Sequence, residues 1–248
     1  MRPTRLHLVQ RTALLAVIAL LSAALAGCQI VAGSMQYTQV RYIDASPDAP
    51  NLDIYQNAVV TLYDIGFGTA SSYISINPGS WNFSVDVTTG RQQLANVIGT
   101  LALGAQYTVL IGNITANLQM TLLKDQSTPA PSGQVAFRFL DQSTRNAAVD
   151  VYLLPVGGSL ATLTPIATHI AFGNTASYIN VPIGTYSVVV LPTGVIPTAT
   201  TVPLYSGTQT EYLSGAARTI VLIDQQSATT PGFQVISADD YDSPAAIT

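Results

Sequence analysis

Cysteine, lysine and glutamate each occur once in the 248 residues, and histidine twice. Each scarcity excludes something. With Cys28 as the only cysteine, no internal disulfide can brace the chain and thiolate metal clusters are out of reach. Lys124 and Glu211 stand alone among residue types that commonly carry acid–base work, and His169 is the only histidine past residue 27. Charge of either sign is thin, with nine Lys or Arg and thirteen Asp or Glu. Past residue 27 the balance is six basic against thirteen acidic residues, a formal −7. An acidic surface with scattered basic residues gives nucleic acid no track to follow.

No run is long enough for a comfortable membrane span. The stretch from Thr12 to Ala26 is apolar apart from Thr12 and Ser22, and it falls short of the roughly 20 residues that a spanning helix needs. It follows a basic segment bearing Arg2, Arg5 and Arg11, which is the organisation of an export signal. The signal ends on Leu25-Ala26-Gly27-Cys28, which closely resembles the lipobox of bacterial lipoproteins. In such signals the thiol takes a diacylglyceryl group, and a dedicated peptidase then cuts just before it. The resemblance implies cleavage after residue 27 and a lipid-anchored protein whose partner is the bilayer, held by acyl chains such as palmitate on Cys28. Lipid chains gain about 0.8 kcal/mol per buried CH₂, so several of them anchor durably. Gln29, rather than Asp, implies transfer to the outer membrane in an organism with two membranes. Otherwise the anchor holds the outer face of the cytoplasmic membrane.

What the rest of the chain has in abundance is repetition. Phe67-Gly68-Thr69-Ala70-Ser71-Ser72-Tyr73-Ile74 is answered by Phe172-Gly173-Asn174-Thr175-Ala176-Ser177-Tyr178-Ile179, and Gly79-Ser80-Trp81 by Gly184-Thr185-Tyr186, at a separation of 105. Val40-Arg41-Tyr42-Ile43-Asp44 is answered by Phe137-Arg138-Phe139-Leu140-Asp141, and Leu52-Asp53-Ile54-Tyr55 by Val149-Asp150-Val151-Tyr152, at 97. Two copies of this length are domain-sized rather than solenoid units. Short alternating runs predict strands at 40–43, 52–55, 59–62, 72–76, 81–87, 94–98, 106–111 and 120–123 in the first copy. In the second they fall at 134–140, 149–154, 166–168, 177–181, 185–191, 201–204, 218–223 and 233–236. Gly, Pro, Asn and Asp interrupt them as turn residues, and no apolar stripe keeps helical spacing. The expected fold is all-β: two tandem antiparallel β-sandwich, immunoglobulin-like domains over residues 40–126 and 134–238. A tether (28–39), a stiff Pro/Ser/Thr linker (127–133) and a flexible acidic tail (239–248) complete the organisation. Trp81, Phe83, Tyr73, Tyr107, Tyr178 and Tyr186 are read as sandwich core, with a sugar-stacking platform as the sharper alternative.

The segment from Val40 to Tyr55, with Ala45-Ser46-Pro47-Asp48-Ala49-Pro50 between its two strands, resembles the opening of the domain-of-unknown-function family 4397 (DUF4397). The later Phe67–Tyr73 and Gly79–Trp81 elements fit the same pattern. The second copy keeps those later elements and both aspartates, Asp141 and Asp150, but loses the Ser-Pro-Asp-Ala-Pro turn. The resemblance implies a secreted or surface-attached β domain and supplies no chemistry.

Candidate chemistry is sparse. Asp44, Asp48, Asp53 and Asp64 are the best candidate metal ligands, and calcium wants six to eight hard oxygens. Their spacing matches no calcium loop, so turn capping is the reading and no metal or cofactor is expected. His169 lies on a short strand with no Gly-x-Ser-x-Gly elbow elsewhere, and Glu211 has no local carboxylate partner. The expected function is therefore non-enzymatic, structural or adhesive display at the cell envelope. The alternative is a glycan-, peptide- or small-ligand-binding module. Its loops would be 45–51, 64–70 and 88–93, with 142–148 and 192–200 in the second copy, at one end of the sandwiches.

Overall fold

Alternation of β-branched and aromatic residues with Ser, Thr and Asn leaves the backbone few options but paired strands. The computed structural model describes residues 37–174, 176–226 and 232–241. Signal, Cys28 and most of the tether lie outside the described residues. The first copy comprises β1 (Thr38–Asp44), β2 (Leu52–Gln56), β3 (Val59–Ile65), β4 (Ile74–Ile76), β5 (Gly79–Val87), β6 (Gln93–Leu101), β7 (Gln106–Gly112) and β8 (Gln119–Lys124). The second comprises β9 (Gln134–Asp141), β10 (Val149–Pro155), β11 (Ala167–Ile170), β12 (Ile179–Pro182), β13 (Gly184–Pro192), β14 (Tyr205–Ser206), β15 (Thr210–Tyr212), β16 (Ala217–Asp224) and β17 (Phe233–Tyr241).

The strands form two sandwiches of two sheets each. The first pairs β4-β1-β7-β8 against β3-β2-β5-β6; the second pairs β12-β9-β16-β17 against β11-β10-β13, with β14 and β15 both on β13. Pairing is antiparallel except where β1 runs parallel to β7 and β9 parallel to β16. Each sandwich has its own core. Tyr42, Leu52, Ile54, Phe83, Val85 and Val109 fill the first, and Phe137, Phe139, Val149, Val190, Ile220 and Leu222 fill the second. Each such side chain contributes roughly 1.5–3 kcal/mol by leaving water.

β1, β7, β9 and β16 are buried almost throughout rather than on alternate residues. The cause is a third apolar layer. Ile43, Leu110 and Leu123 of the first copy pack on Leu140, Val221, Ile223 and Ile236 of the second. The two inner sheets thus stack face to face, each covered on both sides. Gln226 Nε2 donates to the Pro47 carbonyl at 3.4 Å, so the loop ends of the two copies lie side by side.

Several boundaries differ from the sequence expectation. β1 takes in Thr38 and Gln39 from the expected tether. β17 continues through Asp239 and Asp240, which were expected to fray. The strand expected at 201–204 is absent; pairing begins at Leu204, whose N–H donates to Val190 O at 2.9 Å. Pro203 just before it has no N–H to offer a ladder. The expected linker is not a free spacer, since Ala130 is buried and its N–H donates to Gly215 O at 2.9 Å.

Candidate functional site

The four candidate aspartates do not converge. Asp44 is fully buried: Oδ1 accepts the Ser46 N–H at 3.0 Å, while Oδ2 has no partner. Burial pushes its carboxyl up to about 7, with the Ser46 bond opposing. Asp48 Oδ1 accepts the N–H and hydroxyl of Thr115 at 2.7 and 3.0 Å. Asp53 Oδ1 accepts the Asp64 N–H at 3.0 Å and the Thr88 hydroxyl at 2.7 Å, and Asp64 Oδ1 accepts Asn51 Nδ2 at 2.7 Å. These are the turn-holding bonds expected of aspartates at strand ends. Among the described residues no group of three or more His, Cys, Asp or Glu could hold a metal ion.

The second copy repeats the plan. Asp141 Oδ1 accepts the Ser143 N–H at 2.7 Å, Oδ2 is again unpartnered, and burial again pushes the carboxyl up to about 7. Asp150 stands where Asp53 stands, accepting from the N–H groups of His169 and Gly194 and from the Thr193 hydroxyl. Burial works against its charge, yet these bonds hold its carboxyl below the ordinary range. His169 and Asp64 are thereby equivalent, and both adopt left-handed φ, 55° and 59°. A non-glycine residue held there is locally strained, so the backbone bond to Asp150 is what His169 supplies to the fold. Its imidazole borders an open cavity of about 540 Å³ with Thr168, Asn174 and Ser177. Glu211 is exposed on β15 opposite Thr185, with no second carboxylate across the ladder.

The densest polar cluster lies between the copies. Arg41 on β1 reaches Asp240 of the second copy, and Arg138 on β9 reaches Asp125 of the first. Arg41 Nε donates to Thr108 at 2.9 Å and Nη1 to the Asp239 carbonyl at 3.0 Å. Arg138 Nε donates to Thr219 at 3.1 Å and Nη1 to the Lys124 carbonyl at 3.1 Å. Asp125 accepts the hydroxyls of Thr108 and Tyr73 at 2.6 and 2.7 Å; Asp240 accepts those of Thr219 and Tyr178 at 2.7 and 2.8 Å. Each guanidinium lies 4.8 Å from a ring centroid, Arg41 over Tyr73 and Arg138 over Tyr178. The arrangement is two-fold symmetric residue for residue. Tyr73 and Tyr178, expected in the sandwich cores, belong instead to this seam. The signal that could have exposed it was Arg41 and Arg138, each a cation between apolar neighbours at the same place in both copies.

Two concavities distinguish the copies. At the end of the first sandwich opposite its long loops, Tyr37, Gln56, Ser75, Ile76, Asn77 and Trp81 line about 310 Å³. In the second, Val188, Tyr205, Thr208, Tyr212, Val235 and Ser237 border a cleft of about 220 Å³ between the sheets. At the corresponding edge of the first copy, Leu122 packs onto Gly99 so closely that a Cβ there would meet Leu122 Cδ2 at 2.2 Å. Ser237 replaces that leucine in the second copy.

Residues 38–152 match the family described as "Domain of unknown function (DUF4397)", a segment running from β1 through β9 into β10. No curated protein sequence matches the chain. Among solved structures, one described as alpha-glucan binding by a streptococcal virulence factor is 10% identical, over 77% of this chain and 95% of that one, with a TM-score of 0.24. A family 26 carbohydrate-binding module of Eubacterium rectale Amy13K, solved with maltoheptaose, is 8% identical over 84% and 98%, with a TM-score of 0.23. At these scores neither likeness extends to chain path or chemistry.

Proposed function

We propose that this chain is an exported lipoprotein, anchored through acylated Cys28, whose β-sandwiches serve as a non-catalytic structural or adhesive body displayed at the cell envelope. The observation that carries the reading is the Arg41–Asp240 and Arg138–Asp125 seam. A tandem tied by buried ion pairs, threonine and tyrosine bonds and a shared apolar layer resists hinge motion between copies, which suits a spacer or display body. Supporting it, the buried carboxylates hold backbone and side-chain donors: Asp224, for example, accepts from Ser143, Thr144 and Arg145. Groups engaged in this way hold turns and strands together. The anchor rests on the Leu25-Ala26-Gly27-Cys28 motif after a basic and apolar leader.

Metabolic labelling with a fatty acid tests the anchor. The native chain should take label and fractionate with membranes, whereas Cys28→Ser should take none and accumulate as uncleaved precursor. Equal labelling of both would overturn it. Proteolysis of the native protein tests the rigid body: cleavage should trim the termini and spare residues 126–133. Early scission there would contradict a display body locked across its copies.

A further inference from the structure

The concavity at the first copy's free end has a chemistry that the display role does not use. Trp81 is the third residue of β5, opposite Gly99, and its indole N–H donates to the Asn77 carbonyl at 2.8 Å. That bond satisfies the indole N–H and fixes the ring's orientation; the ring packs in part against the first core, and its remaining half-buried surface borders the concavity. Tyr37, 58% exposed, supplies a second ring on the same concavity. The polar groups around them are amides and a hydroxyl. Gln56 Nε2 donates to the Tyr42 hydroxyl at 2.8 Å, which pins the side chain and leaves its carbonyl oxygen as an acceptor. The side chains of Asn77 and Ser75 make no hydrogen bond to the other described residues, and among the described residues no Asp, Glu, Lys or Arg lines the space.

From this combination we infer that the Trp81–Tyr37 concavity is a binding site for a neutral saccharide ring, with Asn77, Ser75 and Gln56 reading its hydroxyls. The inference goes beyond the display role and does not depend on the anchor. A pyranose has a flat face of C–H groups, which suits the negative face of an aromatic ring, and a rim of hydroxyls that act as both donors and acceptors. Fixed amides match that rim. An anionic or cationic ligand would find no counter-charge here, and a purely aliphatic one would leave three polar groups without partners. The volume, about 310 Å³, is at the small end of ligand sites and accommodates one or two sugar units.

The second copy is an internal control. Gln134, Leu153, Asn180, Pro182 and Tyr186 occupy the positions of Tyr37, Gln56, Ser75, Asn77 and Trp81. Tyr186 is stacked on Tyr212 at 6.5 Å between centroids, and its hydroxyl donates to the Pro182 carbonyl at 3.2 Å. There a leucine stands in place of Gln56 and a proline in place of Asn77, and the aromatic ring stacks on a neighbouring tyrosine.

Trp81 is the only tryptophan in the chain, so emission reports on this site alone. The full chain in detergent would be titrated with maltotetraose, cellotetraose and the tetramer of N-acetylglucosamine, following tryptophan emission and saturation-transfer NMR of the sugar. At least one should give a saturable change with a midpoint of about 0.1–10 mM, as a shallow site of few contacts allows. Asn77→Ala should weaken that binding about five-fold or more. Trp81→Tyr, which installs the second copy's residue and preserves an aromatic at β5, should weaken it about ten-fold or more by NMR. No response to any of the sugars at 20 mM (about twice the weakest expected midpoint) would overturn the inference, as would binding left unchanged by both substitutions.

Discussion

The two copies agree where they touch and differ where they face outward. Along the seam, Arg41, Tyr73, Thr108 and Asp125 in one are matched by Arg138, Tyr178, Thr219 and Asp240 in the other, with the same donors and acceptors. The turn carboxylates agree as well, Asp44 with Asp141 and Asp53 with Asp150. Away from the seam the match lapses. The first sandwich carries a nine-residue edge strand, β6, whereas the second has two fragments, β14 and β15, beside an open cleft. The first has a concavity bordered by Trp81, and in the second the equivalent tyrosine stacks on Tyr212. What is shared therefore holds the tandem together, and what differs marks where each copy can acquire a separate use.

The sharpest way to break the symmetry is to unpair one charge of the seam. Arg41→Ala leaves Asp240 buried without its cation, and Arg138→Ala does the same to Asp125. Removing one partner of a buried pair costs about 3–5 kcal/mol. Equilibrium denaturation should show losses of that size for both variants and for Asp240→Ala. The Arg41→Ala/Asp240→Ala pair should cost less than the sum, since the two share one interaction. A single transition throughout is the expected form. Two separated transitions, or an Arg41→Ala loss far below that of Arg138→Ala, would show that the geometric symmetry is not an energetic one.

A second test uses pH, because both copies bury an unpartnered carboxyl oxygen. The folded-state values for Asp44 and Asp141 are pushed up to about 7 by burial, against about 3.9 for an unfolded aspartate. The folded state then binds more protons than the unfolded state between those limits. Stability is fullest below about pH 4 for these two groups and is lost as pH rises through about 7, by on the order of a few kcal/mol per group. Asp240 and Asp86, also raised by burial, act in the same direction. Asp150 and Asp224, held low by their hydrogen bonds, act in the opposite sense at more acid pH. The native protein should be measurably more stable at pH 5 than at pH 8. Asp44→Asn and Asp141→Asn should each remove a similar part of that slope. A flat profile in the native protein would mean that water or another donor satisfies Asp44 Oδ2 and Asp141 Oδ2.

Local pattern made most strands readable, because alternation against a core leaves a period-two trace in each run. Leu52–Gln56 and Ala217–Asp224 fall within a residue or two of expectation for that reason. The second face of the inner sheets was not readable. Val40, Tyr42, Ile43 and Leu110 are all apolar whether one face is covered or two, and only the partner sheet decides. Asp240 shows the same limit more sharply. In an acidic terminal run it reads as solvated, yet its partner Arg41 lies 199 residues upstream. The broken edge of the second copy was misplaced by a few residues because Tyr205–Ser206 and Thr210–Tyr212 are too short to carry a period. Trp81, expected in the core from its alternation with polar neighbours, packs against it as a half-buried residue, and sequence does not say how much of the ring stays open.

The smallest expected effect concerns the edge where the copies part. Leu122 closes the first sandwich by resting on Gly99, and the second has Ser237 and Thr210 in those places. Leu122→Ser should reopen the first copy and cost about 2 kcal/mol, below the full range for a core leucine because this side chain is only partly buried. The reverse change is subtler. Ser237→Leu alone places a branched side chain where Thr210 already stands, so overpacking offsets much of the gain from burial. Adding Thr210→Gly makes the room that Gly99 provides in the first copy, at a cost of roughly 0.5–1 kcal/mol for glycine in a strand. The double variant should therefore exceed Ser237→Leu in stability and surpass the native chain by about 1 kcal/mol, read as a higher denaturation midpoint at unchanged slope. If Ser237→Leu alone is the more stable of the two, the cleft is wider than the comparison with Leu122 and Gly99 implies, and the edge of the second copy differs in backbone position rather than in side chains.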